Sequence, residues 1–211
     1  MKFIKLYESF EDIDSICEKY GIKNYTINSD GTVDVDGDVY LSRRKLTKLP
    51  LKFGKVSGYF DCRNNQLTTL EGCPQSVVGY FNCRYNKLET LEGFPQSVGG
   101  NFYCGYNQLT SLEGCPQSVS GHFAFSGNLL KDLYGFPEFF DGHIYYDNNP
   151  VSEILYLFNG CKLGKVIDLL NEYGVIQQDG KLVVLDRLEE VFYTLNIEIP
   201  EEINLKNYEV D

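Results

Sequence analysis

Residues 58–78 read GYFDCRNNQLTTLEGCPQSVV and residues 79–99 read GYFNCRYNKLETLEGFPQSVG. The two stretches share a glycine, a Phe-x-Cys pair, an asparagine, two leucines and a Gly-x-Pro step at matching places. Outward from them, Gly37, Gly58, Gly79, Gly100, Gly121 and Gly142 recur every 21 residues. One column holds Val39, Phe60, Phe81, Phe102, Phe123 and Ile144; two residues on come Leu41, Cys62, Cys83, Cys104, Phe125 and Tyr146. A spacing of two puts both columns on one face of a β-strand. An asparagine column (Asn65, Asn86, Asn107, Asn128, Asn149) and two aliphatic columns ending at Val151 and Ile154 follow. No single block can bury these residues alone, so successive coils stack on one another. Gly-x-Pro cannot be helix interior, so the return side of each coil is expected to be extended or a tight turn.

The phase F-x-C-x-x-N-x-L resembles the L-x-L-x-x-N-x-L core of leucine-rich repeats, with Phe and Cys in two of the leucine places. The resemblance covers residues 37–154, and its 21-residue period is similar to the short bacterial type. The start MKFIKLYESF and the phrase LTSLEGCPQSV resemble leucine-rich-repeat proteins encoded by tailed bacteriophages. The resemblance implies an α+β repeat solenoid: an arc of parallel strands with five full repeats and a partial sixth. Arg44 stands where the first block should carry the family asparagine, so the first coil needs another device there. The fifth block loses the cysteine and has FPEFFD in place of CPQSVS.

The flanks are expected to close the stack. Residues 1–36 suggest an N-terminal cap: Ser9 capping a helix from Phe10 to Tyr20, with Gly21 as its stop, then a hairpin in YTINSDGTVDV. Asp34, Asp36 and Asp38 lack the EF-hand order of ligands and read as solvated turn carboxylates. Residues 155–211 suggest a C-terminal helical cap. SEILYLFNG and LGKVIDLLNEYG read as helices, VIQQDGKLVVL as a hairpin, and DRLEEVFYTLN as a helix boxed by Asp186 and Glu189.

The chain has 211 residues and a formal charge of −11, which argues against broad, sequence-blind nucleic-acid binding. It has no apolar run long enough to span a membrane and no secretory core near its start. Seven cysteines fit a reducing, cytoplasmic setting, the host cytoplasm if the chain is phage-encoded. An inward single file of Cys62, Cys83 and Cys104 gives no tetrahedral metal site and reads as core packing. No Ser-His-Asp order, phosphate loop or paired-acid motif appears, and Cys161 has no neighbouring histidine. The expectation is therefore no enzyme, no cofactor and no metal.

Inward parity sends the alternate residues outward, onto what the resemblance makes the concave face. The expected partner-binding residues are Arg43, Tyr59, Asp61, Arg63, Tyr80, Asn82, Arg84, Tyr85, Tyr103, Tyr106, His122 and Tyr145. Tyr and Arg dominate interface hot spots. Residues 37–141 sum to +1, while 1–36 sum to −4 and 142–211 to −8, so the basic residues concentrate in the repeats. Arginine with tyrosine suits carboxylate or phosphate recognition. The leading expectation is a protein partner presenting an acidic loop or peptide. A nucleotide or small-anion binder and a self-assembling structural protein are the alternatives.

Overall fold

The computed structural model describes residues 12–177 and 180–211. Helix α1 (Ile13–Tyr20) leads into an antiparallel hairpin of β1 (Tyr25–Ile27) and β2 (Val33–Val35). The coils follow as pairs of short strands: β3 (Val39–Tyr40) and β4 (Phe53–Val56), β5 (Phe60–Asp61) and β6 (Ser76–Val77), β7 (Phe81–Asn82) and β8 (Ser97–Val98). Then come β9 (Phe102–Tyr103) and β10 (Ser118–Val119), β11 (Phe123–Ala124) and β12 (Phe139–Phe140), and finally β13 (Ile144–Tyr145). The chain closes with α2 (Ser152–Tyr156), α3 (Leu163–Glu172), β14 (Leu182–Val183), α4 (Leu185–Leu195) and β15 (Glu209–Val210).

The coils form a parallel-strand β-solenoid of about five turns. One ladder runs β3-β5-β7-β9-β11-β13; the return strands form a second, β2-β4-β6-β8-β10-β12, edged by β1. The register is fixed at one repeat: Phe60 pairs with Phe81, Phe81 with Phe102, and Phe102 with Phe123. Within the repeats the return side is thus a sheet, not only a turn, and carries no helix.

Side-chain parity follows the sequence pattern. Phe60, Phe81, Phe102, Phe123, Cys62, Cys83 and Cys104 are fully buried. The rings pack coil on coil, with Phe60–Phe81 and Phe102–Phe123 centroids both 5.3 Å apart. Val77, Val98 and Val119 close the core from the second ladder. Gly37, the first of the glycine column, is set by its φ of +137°; from Gly58 on, contact between coils explains the column. A β-carbon on Gly100 would lie 2.9 Å from the carbonyl carbon of Gly79, and one on Gly142 2.6 Å from that of Gly121.

The buried asparagines tie each coil to the one before it. Asn107 Oδ1 accepts the Leu88 amide at 3.1 Å, while its Nδ2 donates to the carbonyls of Cys83 at 3.1 Å and Cys104 at 3.0 Å. Each coil's exit amide is therefore satisfied by the asparagine of the next coil. That is why Arg44 is tolerated: Asn65 Oδ1 accepts the Arg44 and Leu46 amides at 2.9 and 3.1 Å.

The flanking elements differ in detail from the sequence reading. Ser9 and Phe10 lie outside the described residues. Helix α1 begins at Ile13 because Asp12, in extended conformation, accepts the Ser15 amide at 2.7 Å; Gly21 ends it in the left-handed region. Asp34 and Asp38 accept the Lys55 and Tyr59 amides, and Asp36 accepts the Ser57 hydroxyl, so these carboxylates work as links between coils. Asp186 is not a cap: α4 starts at Leu185, and Val184 offers no side-chain bond. The Leu185 amide instead donates to the Asp211 carbonyl at 3.0 Å, beside a parallel β14–β15 pair. The arms of the hairpin read in VIQQDGKLVVL meet at Ile176 and Val183; residues 178–179 lie outside the described ones.

Candidate functional site

The outward face of the first ladder carries stacked tyrosines. Tyr59 and Tyr80 lie 4.3 Å apart at 10°, at the strand entrances. Tyr85 and Tyr106 lie 4.5 Å apart at 8°, at the strand exits. Tyr59, Tyr85, Tyr106 and Tyr145 are 40–48 % exposed, large aromatic rings left in water. Tyr40, at the repeat position of Asp61, is 51 % exposed and belongs to the same surface. The 21-residue spacing alone would have found it.

The exit position is conformationally demanding. Arg43, Asn64, Tyr85, Tyr106, Gly127 and Asn148 occupy it, and all have φ between +55° and +71°. Asn and Gly adopt this left-handed conformation readily, whereas a bulky side chain there costs about 1–3 kcal/mol. Tyr85 and Tyr106 hold it at φ +56° and +55°. Ring stacking returns only about 0.5–1.5 kcal/mol, so stability alone does not favour tyrosine at these two corners.

Two expected contact residues are not on the surface. Asp61 and Asn82 are 2 % and 5 % exposed. Their direction is outward, but larger neighbours seal them in. Arg63 Nε lies 3.3 Å from Asp61 Oδ2, and the Arg63 amide donates to Asp61 Oδ1 at 3.1 Å. Burial pushes the Tyr80 phenol up to about 12, with the Asp61 charge adding to it. Conversely, Gly105, Ala124 and Ser126 sit at outward positions and are buried between bulkier side chains.

Burial also raises the Asp61 carboxyl above its ordinary 3.8, outweighing the Arg63 amide bond and the charges of Arg63 and Arg43. The folded chain thus holds this proton more tightly than the unfolded chain. The stability carried by protonated Asp61 is full below the ordinary carboxyl value and is lost as pH rises through the raised one. Asp61→Asn is expected to flatten that decline, and to match or exceed the wild type at neutral pH, as read by urea unfolding across the acid range. A variant less stable at neutral pH by more than about 1 kcal/mol would mean that the Arg63 pair outweighs desolvation.

The remaining residues are brought together only in part. Arg84 is half-buried, with its guanidinium 5.3 Å from the Tyr103 ring and 6.0 Å from Tyr106. Arg43 is exposed at the exit of the first coil. His122 Nδ1 accepts the His143 amide at 2.9 Å, so this ring serves as a link between coils with its proton on Nε2. Tyr145 meets the His122 ring edge-on at 5.9 Å. Among the described residues no group of three or more His, Cys, Asp or Glu side chains is placed to hold a metal ion. No helix among them is long and apolar enough to cross a membrane.

No protein-family model, curated protein or solved structure matches this chain.

Proposed function

We propose that the chain is a non-enzymatic binding module whose first-ladder face holds a protein partner through an acidic segment. The observation that carries this reading is the pair of exposed, stacked tyrosines Tyr85 and Tyr106 at left-handed corners where stability favours Asn or Gly. Strained residues held in place by surrounding structure are a recognised mark of functional sites. A rigid stack also sets the rings before binding, which lowers the ordering cost of association. The repeat phase and the asparagine ladder support reading the coils as leucine-rich repeats of a short type. The likeness to phage-encoded proteins supports a host protein as the partner.

The test exploits the corner itself. Asn occupies the same position at residues 64 and 148, so Tyr85→Asn/Tyr106→Asn suits the backbone. Relief of strain at two corners, about 1–2 kcal/mol each, outweighs the loss of one stacked pair, and the variant is expected to be at least as stable as the wild type. In affinity capture from a bacterial lysate it is expected to lose a protein that the wild type recovers. Equal recovery by the two proteins removes the tyrosine face from the binding reading.

A further inference from the structure

Two coils carry an arginine at the same repeat position, and the structure treats them differently. In the coil of residues 58–78, Arg63 is neutralised by Asp61 of its own strand. In the next coil the acid's place is taken by Asn82. The local turn is unchanged, since the Arg84 amide donates to Asn82 Oδ1 at 3.2 Å as the Arg63 amide does to Asp61 Oδ1 at 3.1 Å. Only the counter-charge is missing. Arg84 Nε is buried with no hydrogen-bond partner, and among the described residues its side chain forms no ion pair. A buried, charged donor left without an acceptor is rare in folded proteins and calls for an explanation.

The room that the guanidinium occupies comes from the coils that follow. The repeat position of Arg63 and Arg84 is held there by Gly105 and Ser126, both buried. A β-carbon on Gly105 would lie 3.6 Å from Arg84 Nε, so the guanidinium lies over the glycine. It rests against Tyr103 and Tyr106, the second of which belongs to the exposed pair.

We propose, building on the binding reading above, that Arg84 is the subsite for one carboxylate side chain of the acidic partner segment. A guanidinium offers parallel N–H donors at the spacing of two carboxylate oxygens, and with Nε sealed by its neighbours the terminal Nη pair is the one open to a partner. A single uncompensated positive charge matches a monoanion. Arg63 is already paired, so no second cation of this column is available to share a dianionic phosphate.

Asn82→Asp tests this without removing the arginine. It installs at residue 82 the carboxylate that Asp61 supplies one coil earlier, and so occupies Arg84 from within. The readout is the 15N-edited Nε–H resonance of Arg84, assigned by its loss in Arg84→Gln. The full chain is titrated with an oligoglutamate peptide, with inorganic phosphate, and with sodium chloride at matched ionic strength. The wild-type resonance is expected to shift saturably with oligoglutamate and not with chloride. In Asn82→Asp it is expected to start displaced and to bind oligoglutamate about tenfold more weakly or worse. An unmoved resonance, an equal response to chloride, tighter binding of phosphate, or unchanged affinity in Asn82→Asp overturns the subsite. The capture comparison at Tyr85 and Tyr106 leaves Arg84 intact. A partner lost there beside a silent Arg84 resonance removes the carboxylate subsite and keeps the tyrosine face; a responding Arg84 with equal capture does the reverse.

Discussion

Phe102→Ala is expected to destabilise the protein by about 3–5 kcal/mol. Phe102 is fully buried, and its ring meets Phe94 at 5.0 Å, Phe123 at 5.3 Å and Phe81 at 5.9 Å. Truncation loses the transfer energy of the ring and leaves a cavity that the strands on either side cannot close, because their register is pinned by parallel pairing. A loss of that size is a large part of the 5–15 kcal/mol typical of a folded domain. Phe139, on the second ladder and 54 % exposed, is the matched control: Phe139→Ala should change stability by no more than about 0.5 kcal/mol. Urea unfolding of both variants checks the pair; similar losses would mean that the aromatic column is not the core of the stack.

Asn107→Leu is expected to cost about 2–6 kcal/mol, although the substitution conserves volume and adds apolar surface. The Leu88 amide loses the acceptor Asn107 Oδ1 and stays buried, at about 1–3 kcal/mol. The Cys83 and Cys104 carbonyls each lose one donor but keep a second, from Asn86 and Asn128. Those two losses add about 0.5–1.5 kcal/mol each. If stability is instead governed by hydrophobicity alone, Asn107→Leu will be neutral or stabilising. The same denaturation series separates these outcomes, provided the dependence on urea is unchanged.

The stack itself was legible because its signal repeats. Six glycines in phase, with Phe and Cys two apart, fix which side chains face inward, and Phe81 and Cys83 are fully buried as that parity requires. Coverage is a different matter. Parity gives Asp61 and Asn82 an outward direction, but their burial depends on Arg63, Tyr80 and the coils on either side, which no local pattern reports. The return side could be read only as extended or turn, because from Ser76–Val77 onward its strands are two residues long, too short to show alternation. The left-handed corner did leave a trace: Asn64, Gly127 and Asn148 share the position of Tyr85 and Tyr106. At the C-terminal end, local chemistry points to Asp186 as a cap, whereas the Leu185 amide is satisfied by the carbonyl of Asp211, distant in sequence. The special character of Arg84 needed coordinates too, because it arises from an Asp-to-Asn difference between coils and from a glycine in the coil beyond.

The proposed binding mode puts the partner on the first-ladder face and not on the return ladder. Site-specific photo-crosslinking in bacterial cells tests it most directly, with para-benzoylphenylalanine placed at Tyr85 on one face or at Val78 beside the other. Both sites are exposed, at 48 % and 65 %. One discrete crosslinked species is expected from position 85 and none from position 78. The same adduct from position 78, with position 85 silent, would contradict it.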